Sequence, residues 1–120
     1  MIAKIAAASA LALALSAAAE PAAARTIYDG SWNLTIYTQR GACDPTYNFQ
    51  VQINNGIVSH PNIVRLHGRV TPKGNVRVSV AVPGKFAAGS GKLTRTTGRG
   101  RWAGHSENAR CSGYWSAQRW

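Results

Sequence analysis

Two alternating runs that meet at a Pro-Lys-Gly-Asn turn constrain this chain more than any other feature. Over residues 64–82, Val64, Leu66, Val70, Val76, Val78, Val80 and Val82 fall on one side, and Arg65, His67, Arg69, Arg77 and Ser79 fall on the other. A two-residue period belongs to a half-buried strand, and Pro72-Lys73-Gly74-Asn75 supplies residues that reverse a chain sharply. The stretch therefore predicts a β-hairpin with one apolar and one basic face.

The same period recurs on either side of it. Trp32, Leu34 and Ile36 alternate with Asn33, Thr35 and Tyr37, and Gly41-Ala-Cys-Asp-Pro closes that run. Tyr47, Phe49, Val51 and Ile53 alternate with Asn48, Gln50 and Gln52 up to Asn54-Asn55-Gly56, the strongest short hairpin signal because Asn-Gly accepts positive φ. Ile57-Val58 starts a short return that His60-Pro61-Asn62 ends, and Pro83-Gly84 turns into a thin, Gly- and Ala-rich strand over residues 85–94. Thr97-Gly98 marks a further turn, residues 104–110 read as a polar loop, and the last strand places Cys111, Gly113, Trp115 and Ala117 on one face. No helical period with caps occurs after residue 24. Turn signals at this spacing predict an all-β fold, an antiparallel meander of seven to eight short strands closing into a small barrel or half-barrel.

Residues 1–24 read as a signal peptide, helical in its apolar part, with Lys4 ahead of an uncharged run over residues 5–19. Cleavage after Ala19 or after Ala24 fits the small-x-small rule, and the run is shorter than the roughly 20 residues a spanning helix needs. The rest, residues 25–120, forms one domain with no expected transmembrane segment. Its two cysteines, Cys43 and Cys111, are expected to form one disulfide in an oxidising compartment, periplasmic or extracellular. There is no Cys-x-x-Cys and no histidine next to either cysteine, as a redox or metal pair would want.

Charge sets the sign of the partner. Without Lys4 and Glu20, thirteen basic residues face three acidic ones, a net charge of +10. So basic a domain attracts anionic surfaces and polymers. Arg65, His67 and Arg69 share one strand face, Arg77 joins them across the hairpin and Lys73 sits at its tip. Arg95, Arg99 and Arg101 form a second cluster around Thr97-Gly98. Guanidinium groups bind carboxylate, sulfate and phosphate in bidentate fashion. Neither cluster carries an aromatic residue on its own face, which argues against nucleic acid, whose single strands want stacking platforms. The expected partner is an anionic envelope polymer or an acidic protein.

Catalysis is not expected. Asp29, Asp44 and Glu107 are the only acids after residue 24, all in turn-like settings, and His105-Ser106-Glu107 are too close in sequence to aim at one another as a triad. His60, His67 and His105 are scattered, so neither a metal site nor a cofactor is expected. Gly30-x-Trp32, Gly100-x-Trp102 and Gly113-x-Trp115 each place a glycine and an indole on one face, and these tryptophans are expected to pack the core. The C-terminal Trp120 is a feature shared with outer-membrane barrels. Against that reading stand strands expected to be shorter than the nine to eleven residues a spanning strand needs, and the lack of an outward apolar band.

Tyr28-Asp-Gly-Ser-Trp32, Gly41-Ala-Cys-Asp44, Val70-Thr-Pro-Lys-Gly-Asn-Val76, Gly89-Ser-Gly-Lys-Leu93 and Cys111-Ser-Gly-Tyr-Trp115 together resemble small secreted proteins of alphaproteobacteria. The resemblance implies a compartment and no mechanism. Some of those proteins are linked to haem utilisation or adhesion, but no haem-ligation motif is present here. Gly30-x-Trp32 also looks like the start of a lipocalin, a barrel plan shared by small bacterial inhibitors of secreted metalloproteases. That likeness implies a barrel with a first-strand tryptophan and a disulfide. The expected function is thus a non-enzymatic binding module with a basic face. The alternatives are a barrel enclosing a lipid or haem among Trp32, Trp102 and Trp115, or a protease inhibitor inserting residues 25–29.

Overall fold

The alternating runs fold into eight antiparallel strands: β1 (Gly30–Arg40), β2 (Thr46–Asn54), β3 (Ile57–Ser59), β4 (Leu66–Val70), β5 (Asn75–Val82), β6 (Lys85–Leu93), β7 (Thr97–Ser106) and β8 (Ala109–Arg119). A computed structural model describes residues 25–120; residues 1–24, where a signal peptide with two candidate cleavage points is expected, lie outside the described residues. Each strand pairs with the next, and β8 returns to β1 through a ladder from Trp32↔Arg119 to Arg40↔Ser112, so the barrel is closed rather than half-open. Closure pairs the edge strands that an open meander would leave as templates for aggregation.

Turn chemistry fixes the register. Asn55 and Gly56 take φ of 54° and 77°, as the Asn-Gly hairpin signal requires. Asp29 holds that turn from outside the hairpin, accepting the Asn55 N–H at 2.7 Å and the Gly56 N–H at 3.1 Å. Across the barrel the expected disulfide joins Cys43, in the β1–β2 loop, to Cys111 in β8, with Cα atoms 6.2 Å apart.

The tryptophans act as cross-strand girders. Gly100 faces Trp115 in the β7–β8 ladder and Trp102 faces Gly113, so the two Gly-x-Trp triplets pair with each other. A Cβ at Gly100 would lie 2.6 Å from the Trp115 ring, so the indole lies flat across β7 only because nothing stands there. It then reaches β6, where Trp115 Nε1–H donates to the Ser90 carbonyl at 3.2 Å. Trp102 reaches the other way over Gly113 and donates to the Tyr37 carbonyl at 2.9 Å.

Four expectations change. Val64 is 93 % exposed and, with Arg65, lies in the β3–β4 loop rather than in the hairpin; Ile63 packs against the core instead. The β6–β7 turn is residues 94–96, organised by the Thr94 hydroxyl accepting the Thr96 and Thr97 N–H groups, while Gly98 sits inside β7 against Leu93 and Trp115. Residues 104–110 are no loop: β7 runs to Ser106, Glu107 turns with φ of 20°, and β8 begins at Ala109. Strands of nine to eleven residues do occur, since β1, β2, β6, β7 and β8 all reach that length. Strand length therefore does not separate this barrel from a membrane one. Exposed positions alternating with the core carry Asn33, Asn48, Gln50, Arg69, Arg77, Arg99, Arg101 and Gln118 beside Ile57, Phe86 and Tyr114, whereas a membrane barrel shows lipid an apolar band.

Candidate functional site

Along β2 and β5 the inward face changes character from one end of the barrel to the other. On β2, Ile53 and Val51 are buried, Phe49 is half-buried and Tyr47 is 41 % exposed. On β5 the series runs from buried Val76 through half-buried Val78 and Val80 to Val82 at 42 %. The deep end is sealed. Trp32 is 1 % exposed, its Nε1–H donates to the Tyr28 carbonyl at 2.8 Å, and the Arg119 guanidinium lies 5.4 Å from its ring centroid. The same guanidinium donates to the carbonyls of Ile27 at 2.6 Å, Arg95 at 3.0 Å and Asp29, latching the N-terminal segment and the β6–β7 turn over the barrel floor.

The opposite end stays open around a cavity of about 490 Å³. Its walls include Leu34, Ile36, Phe49, Val80 and Trp102, with Trp32 and Trp115 toward the floor. Phe86, 43 % exposed, and Tyr47 stand at the mouth with Lys85 and His105, and the disulfide-tied residues 42–44 form part of the rim. Burial, and then the Asp44 carboxylate that Tyr47 also hydrogen-bonds, push the Tyr47 phenol above its ordinary value, so it stays a neutral donor at the rim. No side-chain nitrogen or oxygen buried among the described residues lacks a partner, so the cavity aims no unsatisfied polar group at an occupant. It would be filled by shape and apolar surface.

The outer wall carries the charge, and the ladders rearrange the two clusters expected from sequence. Arg69 faces Arg77, Arg77 faces Ser90, Ser90 faces Arg101, Arg101 faces Tyr114 and Tyr114 faces Tyr37, giving one row around the barrel. Arg77 and Arg101 thus share one row. Lys92 and Arg99 form a parallel row beside it. His67 lies on the same wall, but Lys73 and Arg95 sit in turns at the sealed end and Arg65 in the β3–β4 loop, so these three are not brought into the row. Tyr37 and Tyr114 stack at 4.5 Å between centroids with an interplanar angle of 16°. The expectation that no aromatic shares a face with the arginines is therefore wrong: Tyr114 pairs across the ladder from Arg101, 13 residues away in sequence, and periodicity within one strand does not reveal it.

A shallow concavity of about 1010 Å³ lies on this wall. Ser79, Ala88, Ser90 and Ala103 line it as small side chains, and Arg77, Arg101, Arg40 and His67 border it. Sequence reasoning missed Lys92, Tyr37 and Tyr114, whose only signal was their outward position in an alternating run, and Arg40, which that alternation puts on the inward face and the bulge between Thr38 and Arg40 turns to the outer wall. Among the described residues no three His, Cys, Asp or Glu side chains converge as a metal site would need, and no helix is long and apolar enough to cross a membrane. No protein-family model matches the chain, and no curated protein or solved structure matches it.

Proposed function

We propose that the protein is a secreted or periplasmic, non-enzymatic binding barrel whose open end takes up a compact apolar small molecule, such as a lipid tail. The open cavity of about 490 Å³ carries this reading. That volume lies in the range of small-molecule sites, and such sites are mostly apolar, concave and preformed. A small domain gains little by leaving Leu34, Ile36 and Phe49 half-buried when closer packing would stabilise it, since each methylene removed from water contributes about 0.8 kcal/mol. A ligand would complete their burial. The barrel, first-strand Trp32 and Cys43–Cys111 bond are also the features that the lipocalin-like opening implies. The disulfide fits an oxidising compartment.

Inhibition by an inserted N-terminus has less support. Tyr28 is 6 % exposed, Thr26 donates to Asp29, and Asp29 accepts from the β2–β3 turn, so residues 26–29 are held against the barrel and not free to insert. Catalysis has less support too, since among the described residues the acids are dispersed: Asp29 lies at the sealed end, and Asp44 and Glu107 lie at separate turns of the open end.

The test is a titration of the oxidised protein with a long-chain fatty acid and, separately, with haemin, following tryptophan emission. Saturable quenching at one ligand per chain, unaffected by salt and lost in Val80→Trp, which fills the cavity, is the expected result. Absence of saturable binding by a cooperatively folded protein overturns the reading.

A further inference from the structure

Arg77 and Arg101 flank Ser90 on neighbouring strands, in one register row. Two strand spacings of about 4.8 Å put their backbones roughly 10 Å apart. Between them the wall is built of small side chains, the hydroxyls of Ser79 and Ser90 lying beside the methyls of Ala88 and Ala103. The acids of the described chain lie elsewhere: Asp29 caps the β2–β3 turn, and Asp44 and Glu107 occupy loops at the open end. This groove therefore offers two spaced forks for anionic groups, serine hydroxyls and methyl groups side by side on its floor and, across the ladder from Arg101, an aromatic at Tyr114.

From this we infer that the outer wall from β4 to β8 is a second site, independent of the cavity, for an acidic polysaccharide whose carboxylates engage Arg77 and Arg101. A carboxylate matches a guanidinium fork in bidentate geometry, and charge complementarity selects a polyanion. The floor and the aromatics decide its class. A single-stranded nucleic acid needs open π-faces on which successive bases stack. Tyr37 and Tyr114 each turn one face to the other at 4.5 Å, so they do not offer a series of open faces. Such a pair suits the C–H surface of a sugar ring lying alongside it. The serine hydroxyls then meet the ring hydroxyls, each able to donate or accept. Lys92 and Arg99, in the next row, broaden the positive field along the direction in which a polymer would run.

The experiment measures affinity of the oxidised, processed protein for sodium alginate, a polyuronate, beside neutral dextran and a single-stranded oligonucleotide, at low and moderate salt. Two charge-matched pairs of substitutions separate a site from general attraction. Arg77→Ser with Arg101→Ser removes the groove's forks, while Lys73→Ser with Arg95→Ser removes two charges from the sealed-end turns. All four side chains are exposed, so the fold is expected to survive. Alginate binding is expected to weaken about tenfold or more in the groove pair, as loss of charged hydrogen bonds should give, and by less than about threefold in the control pair. Tyr114→Ala is expected to weaken it about threefold without changing its salt dependence, because no charge is removed. Equal losses in the two charge pairs, tighter binding of the oligonucleotide than of alginate, or no alginate binding at low salt would each overturn the inference. None of these outcomes involves the cavity, which the fatty-acid titration reads separately.

Discussion

The two ends of the barrel are built from similar residue types and finished in opposite ways. At the sealed end an indole, a guanidinium and an aspartate each find partners within the chain: Trp32 bonds the Tyr28 carbonyl, Arg119 covers Trp32 and gathers three carbonyls, and Asp29 holds the β2–β3 turn. At the open end Trp102 is only half-buried, Phe86 and Tyr47 meet solvent, and a covalent bond rather than a side-chain latch ties the rim. The difference separates apolar surface buried on folding from apolar surface left open. Residues that complete their contacts within the chain explain stability; those left incomplete beside an open cavity are where the proposed ligand would add contacts.

The sharpest way to break that comparison sets one tryptophan against another. Trp32→Ala is expected to destabilise by up to about 5 kcal/mol, the upper range for an aromatic deleted from a core, because the ring is 1 % exposed and Arg119 packs over it. Trp102→Ala removes the same atoms from a half-open site that already borders a cavity, and about 2 kcal/mol is expected. Denaturant unfolding of the oxidised proteins measures both. Equal losses would mean that the open end is packed as tightly as the sealed one, and the cavity would lose its meaning as a reserved site.

Next in size is the disulfide. It closes a loop spanning 68 positions, for which chain entropy gives about 4 kcal/mol. Because β1 and β8 are already paired in the barrel, the double substitution Cys43→Ser, Cys111→Ser is expected to leave the ladder intact and loosen mainly the rim at residues 41–45. Stability should fall by about 3–4 kcal/mol, near the middle of what native disulfides contribute. Fatty-acid affinity should fall with it, while the emission of buried Trp32 stays unchanged. A change at Trp32 as large as that at the rim would show the two ends to be one cooperative structure.

How much of this could be read in advance depended on the range of the interaction. Strand faces, the Asn55-Gly56 hairpin and the Cys43–Cys111 bond were legible because a two-residue period, a turn dipeptide and a lone pair of cysteines are each local or exclusive signals. Gly98 misled for a physical reason. A glycine beside a threonine suggests a turn, but here it gives room to Leu93 and Trp115, and the turn is made by the Thr94 hydroxyl without any glycine. Arg101 could be assigned to a face but not to a row, since only the ladders through Ser90 decide that it meets Arg77 and only that through Tyr114 supplies the aromatic flank. The cavity was least legible. It is a difference between enclosed volume and side-chain volume, and neither is a property of any one stretch of sequence.

The smallest expected effect is a pH dependence confined to the sealed end. Burial alone would raise the Asp29 pKa, but hydrogen bonds from the Thr26 hydroxyl and from the Asn55, Gly56 and Thr26 backbone outweigh it, and the net shift is downward from 3.8. A carboxyl held below its unfolded value binds fewer protons when folded, so its contribution is fully present above the ordinary carboxylate value and disappears as pH falls through the lowered one. Asp29→Asn keeps one acceptor oxygen but cannot take both turn N–H groups as a carboxylate does. The variant is therefore expected to be less stable than the parent at pH 7, with a flatter acid profile, and the two should converge near pH 2. Urea midpoints at pH 7, 5, 3 and 2 check this. Fatty-acid affinity at pH 7 should match between the two proteins, because nothing at the mouth bonds Asp29; parallel loss of stability and affinity would show that the latch shapes the cavity, and the two ends would have to be treated as a single site.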